Sequence, residues 1–144
     1  MMKKEDSMLY REIQKNTHMG LEAIDAIVPR TKEEKLINQL QKQATKYSEL
    51  YDKATQRLAK DKERNYVNKR MTDVMLRSGV YMNTMHDKSS SRISELMIRG
   101  ANMGVTDMYK VLNHNEQASE PAKDLSKELM DFEEKTINTL RGYL

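Results

Sequence analysis

The sequence predicts an all-α protein, an antiparallel up-and-down four-helix bundle with a short extra connecting helix. Three observations predict it. Helix breakers are scarce, with 5 glycines and 2 prolines in 144 residues. Apolar residues recur at three- and four-residue steps through most of the chain, the spacing of one helical face. No alternating run of Val, Ile and Thr bounded by turn residues marks a strand. The length suits a single domain, residues 1–144, with enough apolar surface to bury that neither disulfides nor metals are required.

The elements follow in order. Leu9, Ile13, Thr17, Gly20, Ile24 and Ile27 predict a first helix over Ser7–Val28, stopped by Pro29, which cannot continue the hydrogen-bond ladder. Thr31-Lys32-Glu33-Glu34 has the form of a capping box opening a second helix, with Thr31 as N-cap. Its apolar line is Leu36, Leu40, Ala44, Tyr47, Tyr51, Ala54 and Leu58, ending near Lys60. The short joint at Pro29-Arg30 makes these two helices antiparallel neighbours. Asp61–Tyr66 is polar and reads as a connection.

Asn68–Asn113 stays helical in pattern for 46 residues. One straight helix of that length would span ~69 Å, too long for the domain. Two breaks are available: Gly79 as a C-cap, or Lys88-Ser89-Ser90-Ser91 with a serine as N-cap. The Gly79 break is favoured, giving a short helix over Lys69–Ser78 and a long one over Val80–Asn113. A last helix starts at Ser119, with Pro121 in its first turn, and carries Leu125, Leu129, Phe132, Thr136, Leu140 and Tyr143 on one face.

Composition removes several function classes. The absence of cysteine excludes disulfides, thiolate metal sites and thiol catalysis. The charged segment Met1–Ser7 is followed by no apolar stretch, and no run approaches the ~20 apolar residues of a membrane span, so a cytoplasmic protein is expected. No nucleophile elbow, phosphate-cradling glycine loop or H-E-x-x-H motif occurs, so no catalytic residues are assigned.

Several features remain as candidates. Met71, Met75, Met82 and Met85 follow heptad spacing, read as a methionine-rich core stripe rather than a cuprous-copper site, with a groove for a partner helix as the other use. Gly100 and Gly104, four apart, would allow close helix approach. His18 and Glu22 share a helical face and read as a solvated pair; His86, beside the methionine stripe, reads as partly buried; His114 falls in a loop. Glu133 sits among Leu129, Met130, Thr136 and Ile137, on or beside the buried face, and so needs a lysine, a hydrogen bond or a metal. Glu12, with Asn16 and Thr17 in the same layer, is its natural companion, whereas Glu49 and Glu95 look outward.

Two helical hairpins of about equal length with inward carboxylates resemble the ferritin-like family. That resemblance implies a metal-binding bundle, with one Glu on two helices and Glu-x-x-His on the others. Here none of the three histidines has a glutamate three residues before it; those positions hold Lys15, Asn83 and Val111. The resemblance therefore covers architecture and implies no standard di-iron centre. The metal candidates are Glu133, Glu12 and His86, for a divalent ion; no other cofactor is expected.

Charge is unevenly spread. Lys53–Arg77 holds eight basic residues against three acidic, and Glu116–Glu134 seven acidic against two basic. The basic corner, with Arg57, Lys60, Lys62, Arg64, Lys69 and Arg70, is a candidate interaction surface; it reads as solvated more readily than as a nucleic-acid site. The opposed patches suit self-association, so a homodimer or a protein partner is expected. The leading expectation is a non-enzymatic interaction or structural module. Its rivals are a metal or small-ligand binder with an atypical site built on Glu133 and Glu12, and a weak nucleic-acid binder acting through the basic corner.

Overall fold

A computed structural model describes all 144 residues. The chain is 80% helical, has no strand, and packs five α-helices together. They are α1 (Lys4–Ile27), α2 (Glu34–Lys60), α3 (Arg70–Thr84), α4 (Ser90–Asn113) and α5 (Glu120–Arg141), with a single 3-10 turn at Val28–Arg30. No helix is long and apolar enough to cross a membrane.

The apolar lines read from the sequence for α1, α2 and α5 supply most of the buried core. Leu9, Ile13, Ile24 and Ile27 of α1 meet Leu36, Leu40, Leu50 and Leu58 of α2, and Leu129 and Leu140 of α5 join them in one core. Paired contacts fix the direction of α1 against α2: the Arg57 guanidinium stacks on Tyr10, Gln14 donates to Thr55, and the Tyr47 ring lies against Gly20. Rising numbers on one helix meet falling numbers on the other, so the two run antiparallel.

Polar side chains order the connections. Gln14, fully buried, donates to Asn65 Oδ1 and accepts from the Tyr66 backbone N–H, both at hydrogen-bond distance, and so ties the α2–α3 connection to α1. Asp6 accepts from both the backbone N–H and the hydroxyl of Ser119, the N-cap of α5, at 2.7 and 2.6 Å. Pro121 falls in the first turn, as expected.

Three expectations are corrected. The N-cap of α2 is Glu33, not Thr31; the Thr31 hydroxyl instead donates back to Ile27 O, sealing the end of α1. Gly79 does not break the chain. It lies inside α3, where a helical glycine costs about 1 kcal/mol relative to alanine and no more. The break is at Met85–Ser89. Asp87 accepts from the Ser89 N–H, and the Ser89 hydroxyl caps α4 by accepting from Arg92 N–H, so two side chains satisfy the backbone N–H groups freed at the break.

The third correction concerns methionine. Met71, Met75, Met82 and Met85 are not core; Met71 is 73% exposed and Met82 70%. Met108 and Met130 are the buried methionines. In α3 only Thr84 is buried. The helix is held to the rest by polar contacts: Arg77 to Glu22 and Asp25 at 2.8 and 2.7 Å, His18 to Asp73 at 3.1 Å, and Arg30 to Thr84 and the Tyr81 ring.

Candidate functional site

A cavity of about 450 Å³ opens between α1, α3 and α4, with its floor on α2 and α5. Small side chains make the space. Gly20 and Ala23 on α1, and Gly100, Ala101 and Gly104 on α4, line it where larger residues would fill it. Leu76, Gly79 and Val80 of α3 form the opposite wall. A glycine at position 79 thus thins the wall instead of ending the helix.

The floor is Glu133. It lies mid-way along the apolar stripe of α5 and is 1% exposed, with Leu129, Met130, Thr136 and Ile137 buried around it. Tyr47 of α2 donates its hydroxyl to Glu133 Oε2 at 3.0 Å. The Tyr47 ring is fixed edge-on against Phe132, with centroids 5.0 Å apart, and on its other side by Gly20. Asn16 of α1 donates its amide to the Gly104 carbonyl at 2.9 Å, which joins α1 to α4 beside the carboxyl. Glu133 Oε1 has no hydrogen-bond partner. An orphaned oxygen on a buried carboxyl that lines a cavity costs free energy unless something pairs with it.

Gly104 is required for this geometry. A β-carbon there would lie 2.5 Å from Glu133 Oε2 and 2.9 Å from both Glu133 Oε1 and Asn16 Oδ1. The glycine lets three oxygens crowd against the α4 backbone.

Electrostatics at the floor follow from burial. Burial drives the Glu133 carboxyl up to about 8, against the hydrogen bond from Tyr47 and the influence of the nearby Asn16 amide, with Asp107 adding to the rise. At neutral pH this carboxyl is protonated. Tyr47 is raised well above the ordinary phenol range, first by burial and then by Glu133. Glu12, half-buried at the rim, is raised by burial and by Asp107, and Lys15 opposes this.

The structure brings together some of the expected residues and separates others. Glu133 and Glu12 line the same cavity, whereas His86 is exposed on the α3–α4 connection, contrary to the expected partial burial. No histidine lines the cavity. With no imidazole in its lining, the cavity does not offer the Glu-x-x-His ligands of a di-iron centre of the ferritin-like kind. The one group of three close potential metal ligands lies elsewhere: His18, Glu22 and Asp73, with Asp73 supplied by α3. There Arg77 already pairs with Glu22, and Asn68 donates to Asp73 at 2.6 Å, so these side chains serve as a clasp between α1 and α3.

Arg57, Lys60, Lys62, Arg64, Lys69 and Arg70 gather at the end of α2, the following connection and the start of α3. All six are exposed and none forms an ion pair. Glu49 and Glu95 face outward in ion pairs with neighbouring lysines and arginines, as expected.

Sequence reasoning missed Asn16 as a tie between helices, Tyr47 as the partner of Glu133, and Asp107 as its neighbour. Asn16 and Gly104 carried a usable signal, a polar residue and a glycine inside apolar stripes. No family model matches the chain, and neither a curated protein nor a solved structure is significantly similar to it.

Proposed function

We propose that this protein is a non-enzymatic helical bundle that binds a small molecule with an apolar body and one polar end. In this reading α1, α2, α4 and α5 form a four-helix bundle in which α1 and α5 run one way and α2 and α4 the other, and α3 is the crossover that lies along α1 as a cover. One observation carries it: a mostly apolar cavity of about 450 Å³ whose floor is a buried carboxyl with an unpartnered oxygen. That volume lies within the roughly 300–1,000 Å³ typical of ligand pockets, and few polar groups in apolar walls are their usual chemistry. No nucleophile–base pair accompanies Glu133, which favours binding over catalysis.

Gly100 supplies the test. It lines the cavity, and nothing lies within 4 Å of where its β-carbon would be. Gly100→Leu therefore puts a side chain at the mouth without a clash and with a gain in helix propensity. An environment-sensitive apolar dye should bind the native chain at one per molecule and lose at least tenfold in affinity, about 1.4 kcal/mol, in Gly100→Leu. Equal binding to a stably folded Gly100→Leu would move the dye elsewhere and remove the cavity from consideration.

The outer face of α3 favours a second reading, association with a second copy of the chain. Met71, Val74, Tyr81, Met82 and Met85 form an exposed apolar strip. It begins beside the unpaired cations of the basic corner, while α5 exposes Glu120, Asp124, Asp131 and Glu134. Such opposed charges suit the α3 face of one copy against α5 of another. Sedimentation of the native chain and of Met71→Glu/Met82→Glu tests it: a dimer that the double variant converts to monomer is expected, and a native monomer at high concentration rejects it.

A further inference from the structure

Resting on that ligand-binding reading, we infer that the molecule taken up is an organic cation, an amine with an apolar body whose ammonium group meets Glu133 at the floor.

Once Glu133 is ionised, the free hydrogen-bonding capacity of the floor is on the accepting side. The Tyr47 hydroxyl is committed to Glu133 Oε2, and one N–H of the Asn16 amide to the Gly104 carbonyl. What gathers against Gly104 is oxygen: both carboxyl oxygens of Glu133 and Oδ1 of Asn16. One of them, Oε1, is buried and has no partner. An ammonium carries three donors and no acceptor, which complements such a cup; a ligand carboxylate would bring only further acceptors.

The charges agree. Facing the cavity are Glu12, Lys15 and Asn16 from α1, Tyr47 from α2, Arg99 and Asp107 from α4, and Glu133 from α5, while α3 contributes no titratable side chain. Arg99 is tied to Glu95 at 2.6 Å. Lys15 is then the one free cation against three carboxyl groups. Asp107 disfavours the charged forms of both Glu12 and Glu133, so this end of the cavity carries an excess of negative potential when they ionise.

The same carboxyls do not make a site for a bare metal ion. Their oxygens do not form a mutually close set, and the group that does lies at His18, Glu22 and Asp73. An extended cation with a hydrocarbon body uses both the separated carboxyls and the apolar walls, including Met19, Met75 and Met97, whose polarisable thioethers adapt to varied shapes.

Binding has a proton balance. The free protein holds a proton on Glu133 at neutral pH. An ammonium placed against the carboxyl favours its ionised form, so the proton passes to the buffer as the ion pair forms. About one proton is released per amine bound near neutrality, and amine affinity rises as pH climbs towards about 8. The amine itself stays charged over that range.

The experiment compares a medium-chain primary alkylamine with the alcohol of the same chain length by titration calorimetry in two buffers of different ionisation enthalpy. The expected result is tighter binding of the amine by tenfold or more, with proton release for the amine alone. Glu133→Gln should erase the preference, and Asp107→Asn should reduce it severalfold. The preference and the proton release are both read on the native chain, so a poorly folded variant leaves the test standing. Alcohol binding equal to amine binding, or amine binding without proton release, overturns the cation while the cavity remains a ligand site that Gly100→Leu blocks. Binding of neither molecule removes the ligand reading and this inference with it.

Discussion

Helices α1 and α3 carry similar amounts of apolar side chain and meet opposite fates. α1 buries ten residues, including Leu9, Ile13 and Ile27, and packs against every other helix. α3 buries Thr84 alone. Its inward side chains Leu76 and Val80 line a cavity, with Val80 also packed on the edge of the core, and its outward methionines face solvent. What fastens it is charge and hydrogen bonding, through Arg77, Asp73 and Thr84. Periodic apolar residues therefore mark a helix without saying which of its faces is covered. A segment held mainly by exposed polar contacts is also the one that opens most readily, which suits a cover over a binding cavity.

The largest expected contrast is in stability. Ile13 is fully buried in the α1 stripe, so Ile13→Ala should cost about 2–5 kcal/mol from lost transfer energy and the cavity left behind. In the monomer, Met71, on the outer face of α3, should tolerate alanine within about 0.5 kcal/mol. Urea denaturation of the two variants measures the difference. Equal losses would mean that the outer face of α3 is covered in solution, which is what the second-copy reading requires.

A second contrast concerns pH. Glu133 holds its proton to about 8 when folded, because of burial, and releases it near the ordinary 4.5 when unfolded. The folded state thus binds more protons over that interval, so this group's contribution is complete below the unfolded value and is lost as pH rises through about 8. The slope is on the order of 1.4 kcal/mol per pH unit. Glu133→Gln keeps a similar shape and an acceptor for Tyr47 but has no proton to lose. Its stability should therefore overtake that of the native chain as pH is raised from about 5 to about 9. Parallel stability curves for the two proteins would show that the carboxyl is solvated. The effect belongs to the floor of the cavity, since none of the titratable groups raised by burial is on α3.

Much of this was legible in the sequence, for local reasons. The apolar stripes of α1, α2 and α5 are set by i, i+3, i+4 spacing, and Pro29 and Pro121 act within one turn of where they stand. Glu133 was legible as buried because its neighbours one turn away are Leu129, Met130, Thr136 and Ile137. Its partner Tyr47 was not, because it lies on another helix at a distance no local spacing encodes. The same applies to Asp73, which joins His18 and Glu22 only through the tertiary fold. Gly79 and the serines at 89–91 posed a competition between two local signals. The outcome was decided by side-chain hydrogen bonds at Asp87 and Ser89, whereas a glycine inside a helix needs no compensation beyond its small propensity cost. The methionine stripe misled because heptad spacing is shared by core seams and by exposed faces.

The smallest expected effect is the most direct test of α3 as a separable cover. Arg77 bridges α3 to Glu22 and Asp25 of α1, and the residues involved are largely solvent-exposed, so Arg77→Ala should cost no more than about 1 kcal/mol. That loss should appear locally. Amides within α3 should exchange with solvent about fivefold faster, the factor corresponding to such a change, while those of Leu9–Ile13 in α1 and Leu129–Glu133 in α5 keep their native protection. The asymmetry follows from what opens: detaching α3 exposes a wall of the cavity and a few polar contacts, whereas exposing α1 requires unpacking the whole core. If instead the amides of α1 and α5 accelerate in step with those of α3, the helix opens only when the molecule unfolds, and the distinction between a packed frame and a polar-fastened cover disappears.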